Sequence, residues 1–340
     1  MGAKDSVTRT YLRRGDIFAD AFNHLLYGGR PVLVPESLAE ADTAQTAVLH
    51  QQTRLLGTAQ RYRDIFKRAI VKTDGQADYL LLGIESQSAV HYAMPVRNLL
   101  YDALSYAGQI REFAIGKHQP QGRAANHQQP HQKEPLADAQ AKALRKNNSS
   151  DFLSGFDRME RLFPVITLVV YLDSSPWDGP LRLSDMMRQI SDELRPFVQD
   201  YQIFLLSPAQ LDDTALSRFH TSLRQVLSYV KYAGDKRRLQ SLLSQDAAFS
   251  RLETEAALVI NTVTRSRIVI PTDSEVINMC KAIQDMKRES KLEGRRDEQA
   301  VIVRHMLDAR LTAAQIHTFT QIPLSCIRAI ADEYAHHKSV

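Results

Sequence analysis

Cysteine is nearly absent: Cys280 and Cys326 are the only two in 340 residues. They are too few and too far apart for a disulfide framework or a zinc site. No run approaches the ~18 consecutive apolar residues expected of a membrane-spanning helix. Met1 to Asp20 also lacks the apolar core of a secretory signal. These absences predict a cytoplasmic protein with no membrane partner. Tryptophan occurs once, at Trp177, and neither sign of charge dominates: 43 Lys and Arg stand against 39 Asp and Glu. The net charge of +4 and pI near 9.0 permit a nucleic-acid partner without establishing one. What remains is an ordinary globular composition, 44% hydrophobic, in a chain long enough for one large or two modest domains.

The stretch richest in chemistry runs from Arg61 to Gln87, RYRDIFKRAIVKTDGQADYLLLGIESQ. Two β-prone segments flank Asp74-Gly75, a dipeptide that tolerates the positive φ angles of a two-residue hairpin turn. If those two residues make the turn, Asp64 lies directly across from Glu85. Side chains alternate along a strand, so Gln87 joins them on one face. Two opposed carboxylates repel, and a hard divalent cation held between them reverses that cost. The bland alternative is a frayed hairpin end with both acids in water. The nearly continuous apolar run Tyr79–Ile84 favours a buried strand, where a terminal Glu and Gln need a reason.

Asp64 followed by Glu85-Ser86-Gln87 resembles the core of the PD-(D/E)XK nucleases, with Gln in place of the usual Lys. Longer pieces resemble the bacterial recombination-promoting nuclease/transposase family: DIFADAFNHLLYGG (16–29), RYRD (61–64), VKTDG (71–75), YLLLGIESQS (79–88) and HYAMPVRNLLYDALSY (91–106). FLSGF (152–156), FPVITLVVYL (163–172) and WDGP (177–180) extend the likeness across most of residues 6–265. It implies an α/β fold, a PD-(D/E)XK mixed sheet flanked by helices. It also implies a DNA partner and Mg²⁺ as cofactor, with Mn²⁺ as a substitute. Asp64 and Glu85 are then metal ligands, and Asp16, on the first helix, is a supporting acid. Gln87 cannot supply the positive charge of Lys, and its role is to orient water or phosphate by hydrogen bonding.

Other segments arrange themselves around this core. Residues 1–14 read as polar, basic and loosely held, and 16–26 as a helix closed by Gly28-Gly29. On that helix Asp20 reads as part of a solvated face. Val32-Leu33-Val34 suggests a short strand between prolines. The cations Arg61, Arg63, Lys67, Arg68 and Lys72 form either a solvated strand face or a set of phosphate contacts, which anchor without reading sequence. A helix from Met94 to about Ile115 puts Arg97 and Tyr101 on one face. Both are candidates to touch phosphate, the alternative being that Arg97 pairs with a structural acid while Tyr101 packs. Lys117 to Ser150 abandons apolar periodicity for Gln, Asn, His and Pro and reads as a flexible insertion. Its His118, His127 and His131 lack the fixed geometry zinc demands.

Beyond it, Phe163–Leu172 and Tyr201–Leu206 read as buried strands and Asp213–Tyr232 as an amphipathic helix. The expected division is a core of residues 1–116 and 151–235, the insertion 117–150, and a helical region 236–340. That region includes a charged helix suited to homodimer formation. The tail 311–334 resembles a helix-turn-helix turning at Gln321-Ile322-Pro323, with DNA-reading and plain packing roles equally open. The functional expectation is a Mg²⁺-dependent DNA endonuclease linked to recombination. Asp64, Glu85 and Gln87 are its catalytic residues, and Arg63, Arg97, Arg61 and Tyr101 contact substrate. The alternative is a catalytically silent DNA-binding or assembly protein on the same fold.

Overall fold

The computed structural model describes residues 3–41, 44–47, 59–62, 64–73, 76–118, 156–271 and 273–338. The chain divides into two compact units, Met1–Leu239 with Thr262–Thr264, and Gln240–Asn261 with Arg265–Val340. Most of the expected insertion, from residue 119 to 155, lies outside the described residues, as do Asp74, Gly75 and Arg63.

The first unit is built on a mixed five-stranded sheet in the order β1-β4-β5-β6-β7: Leu38–Glu40, Ile65–Thr73, Gln76–Gln87, Val165–Tyr171 and Phe204–Leu206. A separate two-stranded ribbon pairs β2 (Ala44–Ala47) with β3 (Ala59–Tyr62). The β4–β5 ladder is antiparallel from Ile65–Ile84 to Thr73–Gln76, the register that a reversal at Asp74-Gly75 requires. β5 then runs parallel to β6, and β6 parallel to β7. Parallel neighbours need a long crossover, and helix α3 (Met94–His118) lies on the one from β5 to β6.

Register divides the side chains between two layers. Ile65, Lys67, Ile84 and Leu168 share the face met by α1 (Ala3–Arg13) and α2 (Gly15–Tyr27), where Phe18 and Phe22 are buried. Phe66, Leu81 and Val165 share the other face with Tyr106 of α3, and Val169 and Tyr171 pack there with Met94, Trp177 and Ile203. Glu85, opposite Val169 in the ladder, belongs to the α3 face.

Several expectations are corrected. The first residues are not loose: α1 buries Tyr11 and Leu12, and the Tyr11 hydroxyl lies 2.9 Å from that of Ser222. Asp20 is not solvated. Its carboxylate is buried and accepts hydrogen bonds from the His220 and Thr221 amides and the Thr221 hydroxyl, just before helix α5 (Leu223–Tyr232). No strand forms at Val32–Val34; Leu33 is pinned by Asn23, whose side chain bonds the Leu33 amide and carbonyl. The expected long helix from Asp213 is split into α4 (Asp213–Leu216) and α5, because the intervening residues carry the groups that Asp20 holds. Gly28 closes α2 in the left-handed conformation as expected, and Gly29 follows at φ +93. A Cβ on Gly29 would sit 2.6 Å from that of Arg218, so only glycine allows this approach.

The second unit is mostly but not wholly helical. It contains most of α6 (Lys236–Gln245) and α7 (Thr254–Thr264), then α8 (Met279–Asp308), α9 (Ala313–Thr320) and α10 (Leu324–Lys338). An antiparallel ribbon of β8 (Leu252–Glu253) and β9 (Val276–Ile277) interrupts the helices, a feature the helical periodicity concealed. The tail forms two helices joined at Gln321–Pro323, with Gln321 left-handed at φ 56 and Thr312 closing a capping box at the start of α9. Val303, Ile316, Ile322 and Ile327 make its core.

Candidate metal and phosphate site

The site stands where the β4–β5 ladder ends. After the Ile65–Ile84 pair the chain bends at Asp64, and the Asp64 carboxylate accepts a hydrogen bond from the Ser86 amide at 3.0 Å. The side chain thus continues the ladder by one bond and ties Asp64 to the segment Glu85-Ser86-Gln87. Glu85 is completely buried, and Gln87, two residues along on the same face, is half-buried.

A carboxylate so removed from water needs a partner. Arg97, in the first turn of α3, places a guanidinium nitrogen 3.0 Å from Glu85 Oε2. The Arg97 guanidinium also lies 5.6 Å from the centre of the Tyr101 ring, one turn along the helix. Burial opposes the charge on Arg97. The Glu85 carboxylate, then Tyr101 and Asp64, outweigh that and hold the guanidinium pKa above its ordinary value. One cation therefore feels both acids of the hairpin. The structural alternative for Arg97 and Tyr101 is the one the structure shows: Arg97 pairs with an acid and Tyr101 is buried beside it.

The remaining expected site residues separate from this group. Asp16 is bound by Arg14 at 2.6 Å, on a helix of the opposite layer. Burial would raise its pKa, but the Arg14 hydrogen bond and charge hold it below the usual carboxylate range. Lys67 also points to the opposite layer, where it is buried, pairs with Glu40 at 3.0 Å and lies over Phe18. Arg68 and Lys72 stay exposed on the same face as Phe66. Arg63 lies outside the described residues; Arg61 falls on β3, with nothing described of its side chain.

Two features support the site: a polar stripe on α3 that the sequence reading missed, and the packing of the Trp177 loop. Along α3, Asn98, Asp102, Ser105 and Gln109 form a buried polar stripe facing the sheet. Asp102 accepts from the Thr167 hydroxyl at 2.7 Å and from the Tyr201 hydroxyl, fastening α3 across β6 toward β7. The Asn98 amide, fully buried next to Arg97 in sequence, has no hydrogen-bond partner among the described residues. The i, i+4 spacing from Met94 through Asn98 to Asp102 was the available signal. The second feature is the loop after β6. Trp177 meets Tyr171 edge-on, Gly179 presses close to Trp177 and Val90, and the Tyr92 hydroxyl donates to Asp178 at 3.1 Å. These contacts brace the turn between Gln87 and the start of α3 at Met94.

The donor set suits a hard cation: two carboxylates lie at one hairpin end, and Mg²⁺ commonly takes one or two carboxylates with water and phosphate. Among the described residues no group of three or more His, Cys, Asp or Glu side chains gathers as a metal site. Among them also, no helix is long and apolar enough to cross a membrane. Compared with models of protein families, with curated proteins and with solved structures, the chain matches none.

Proposed function

We propose that this protein is a divalent-metal-dependent DNA endonuclease of the PD-(D/E)XK type, with Asp64 and Glu85 as the metal-holding acids. The observation that carries the reading is the fully buried Glu85 beside Asp64, with Arg97 as their shared counter-cation. A cation bound there, Mg²⁺ or Mn²⁺, supplies Lewis-acid polarisation of a phosphate and acidifies a bound water. Asp64 holds its place through the Ser86 amide. Gln87 donates a hydrogen bond that orients water or a phosphate oxygen, and being neutral it removes no proton. Arg97, paired with Glu85, carries the charge that Gln87 lacks, and its fork geometry would suit a phosphate if a cation held by Asp64 and Glu85 neutralised that carboxylate. Arg68 and Lys72, exposed on the same face, extend the positive field for a nucleic-acid backbone.

Cleavage of supercoiled plasmid in Mg²⁺, Mn²⁺, Ca²⁺ or EDTA tests this. Nicking is expected in Mg²⁺ and Mn²⁺ for the native chain and in neither for Asp64→Asn or Glu85→Gln; equal nicking by the variants ends the assignment. A second reading has its own support: Arg97 already neutralises Glu85, and a neutral Gln stands where the superfamily places Lys. On that reading the protein binds DNA without cutting it. Salt-sensitive DNA binding without metal-dependent nicking in the native chain would select it.

A further inference from the structure

The last helices of the second unit fold as a helix-turn-helix, and local chemistry accounts for it. α9 starts on the Thr312–Gln315 capping box and stops at Gln321, whose left-handed backbone (φ 56) turns the chain. Residues 321–323 make up the whole turn, the short span typical of that motif. The turn is pinned: the Gln321 amide bonds the His317 carbonyl, and His317 Nδ1 lies 2.7 Å from the Ile322 carbonyl oxygen. Ile316 of α9, Ile322 of the turn and Ile327 of α10 close on Val303 of α8, with Leu311 and Ile330 packed against them. Three helices thus share one small core.

That core leaves one side of α10 outside. Ser325, Arg328, Ala329 and Asp332 stand at i, i+3, i+4 and i+7, so they form one face, and all four are exposed. The face begins in the first turn of α10, the part of the second helix that meets base edges when such a motif enters the major groove. Charge selects the same partner. From Ala309 to Ala331, across α9, the turn and the first half of α10, there is no Asp or Glu, although the chain holds 39 in 340 residues. Arg310 and Arg328 lie in that acid-free stretch, exposed and without an ion-pair partner among the described residues. Asp332 marks where it ends.

We infer that this motif is a sequence-reading contact for duplex DNA. α10 lies in the major groove with Ser325, Arg328 and Ala329 at base edges, and Arg310, just before α9, sits on a phosphate. The Arg328 fork matches guanine O6 and N7, and Ala329 suits a thymine methyl group. Arg310 anchors without reading. The rival occupant is a second copy of the chain, for which the exposed Leu324 and Phe319 would be the anchors. The acid-free, cationic surface favours DNA. The inference holds whether or not the chain cuts DNA at Asp64 and Glu85.

The test is selection by the full chain, in EDTA, from a library of duplexes with a randomised central segment, followed by sequencing. The native chain and Glu85→Gln are both expected to enrich one guanine-containing motif. Arg328→Ala should weaken binding to the selected duplex by about tenfold or more and leave an unselected duplex nearly unchanged. Arg310→Ala should weaken both alike and reduce the salt dependence by about one ion. Both side chains are exposed, and an unchanged circular dichroism spectrum shows that the fold survives. A native chain that enriches no motif overturns the inference, as does the same motif recovered with Arg328→Ala. A chain that selects nothing but dimerises in sedimentation velocity, and loses the dimer in Phe319→Asp, gives the surface to a second copy instead. Plasmid nicking in Mg²⁺ is a separate readout: its absence counts against the Asp64–Glu85 assignment and leaves this one standing.

Discussion

Two helices of the first unit each bury a polar stripe, and they do so with different results. On α2, Asp20 and Asn23 are answered by backbone: Asp20 by the amides before α5, Asn23 by Val32 and Leu33. These bonds join distant parts of the chain, and the polar groups act as fasteners. On α3, Arg97 answers a charge with a charge, and Asn98 lacks a hydrogen-bond partner among the described residues. A buried ion pair is a poor source of stability compared with apolar packing. Its place at a strand end, beside a second carboxylate, is what the proposed function rests on. Burial of polarity alone therefore says little, and the nature of the partner separates structure from site.

The sharpest way to break this contrast is through activity. Glu85→Gln should lower metal-dependent nicking by about a hundredfold or more, since the charge it removes serves a Lewis acid worth several kcal/mol. Asp20→Asn should leave nicking by the folded protein unchanged in the same plasmid assay. Next in size is Arg97→Met, which strands the Glu85 carboxylate and is expected to cost about 3 kcal/mol in urea unfolding. Mn²⁺ should restore part of that loss in the variant. A variant as stable as the native chain, or one indifferent to Mn²⁺, contradicts the proposed cation exchange. Asp20→Ala is expected to cost about 2–3 kcal/mol through its lost charge-assisted bonds, with no recovery in Mn²⁺.

The smallest effect concerns pH. Burial would raise the pKa of Glu40, but its bonds to Arg13 and Lys67 win and hold it low. Its contribution is then complete above the unfolded carboxylate value of about 4.3 and fades as pH falls through the lower folded value. Urea midpoints across that acidic window should fall less steeply for Glu40→Gln than for the native chain.

Local signals carried much of the core. Asp74-Gly75 between β-prone runs was enough to anticipate the β4–β5 register, and with it Asp64 beside the Glu85 segment. Gly28-Gly29 marked the end of α2, and the apolar run after Phe163 marked β6. Local signals failed where the deciding partner lay far along the chain. Nothing near Asp20 indicates that residues about 200 positions away supply its donors. Asp16, expected to be a supporting acid, lies on α2, which packs in the opposite layer, and there it pairs with Arg14. Lys67 illustrates parity: one position from Arg68 on the strand, it points through the sheet to Phe18.

The residue order by itself determined where β4, β5 and β6 run, where α2 ends and which hairpin positions share a face, because turn chemistry and side-chain periodicity act over a few residues. Only the tertiary structure decided which buried charges meet. Packing α3 on the sheet brings Arg97 to Glu85, and packing α2 against the start of α5 brings Thr221 to Asp20. Those pairings depend on how layers stack, and in a low-dielectric interior the stacking sets the value of every charge.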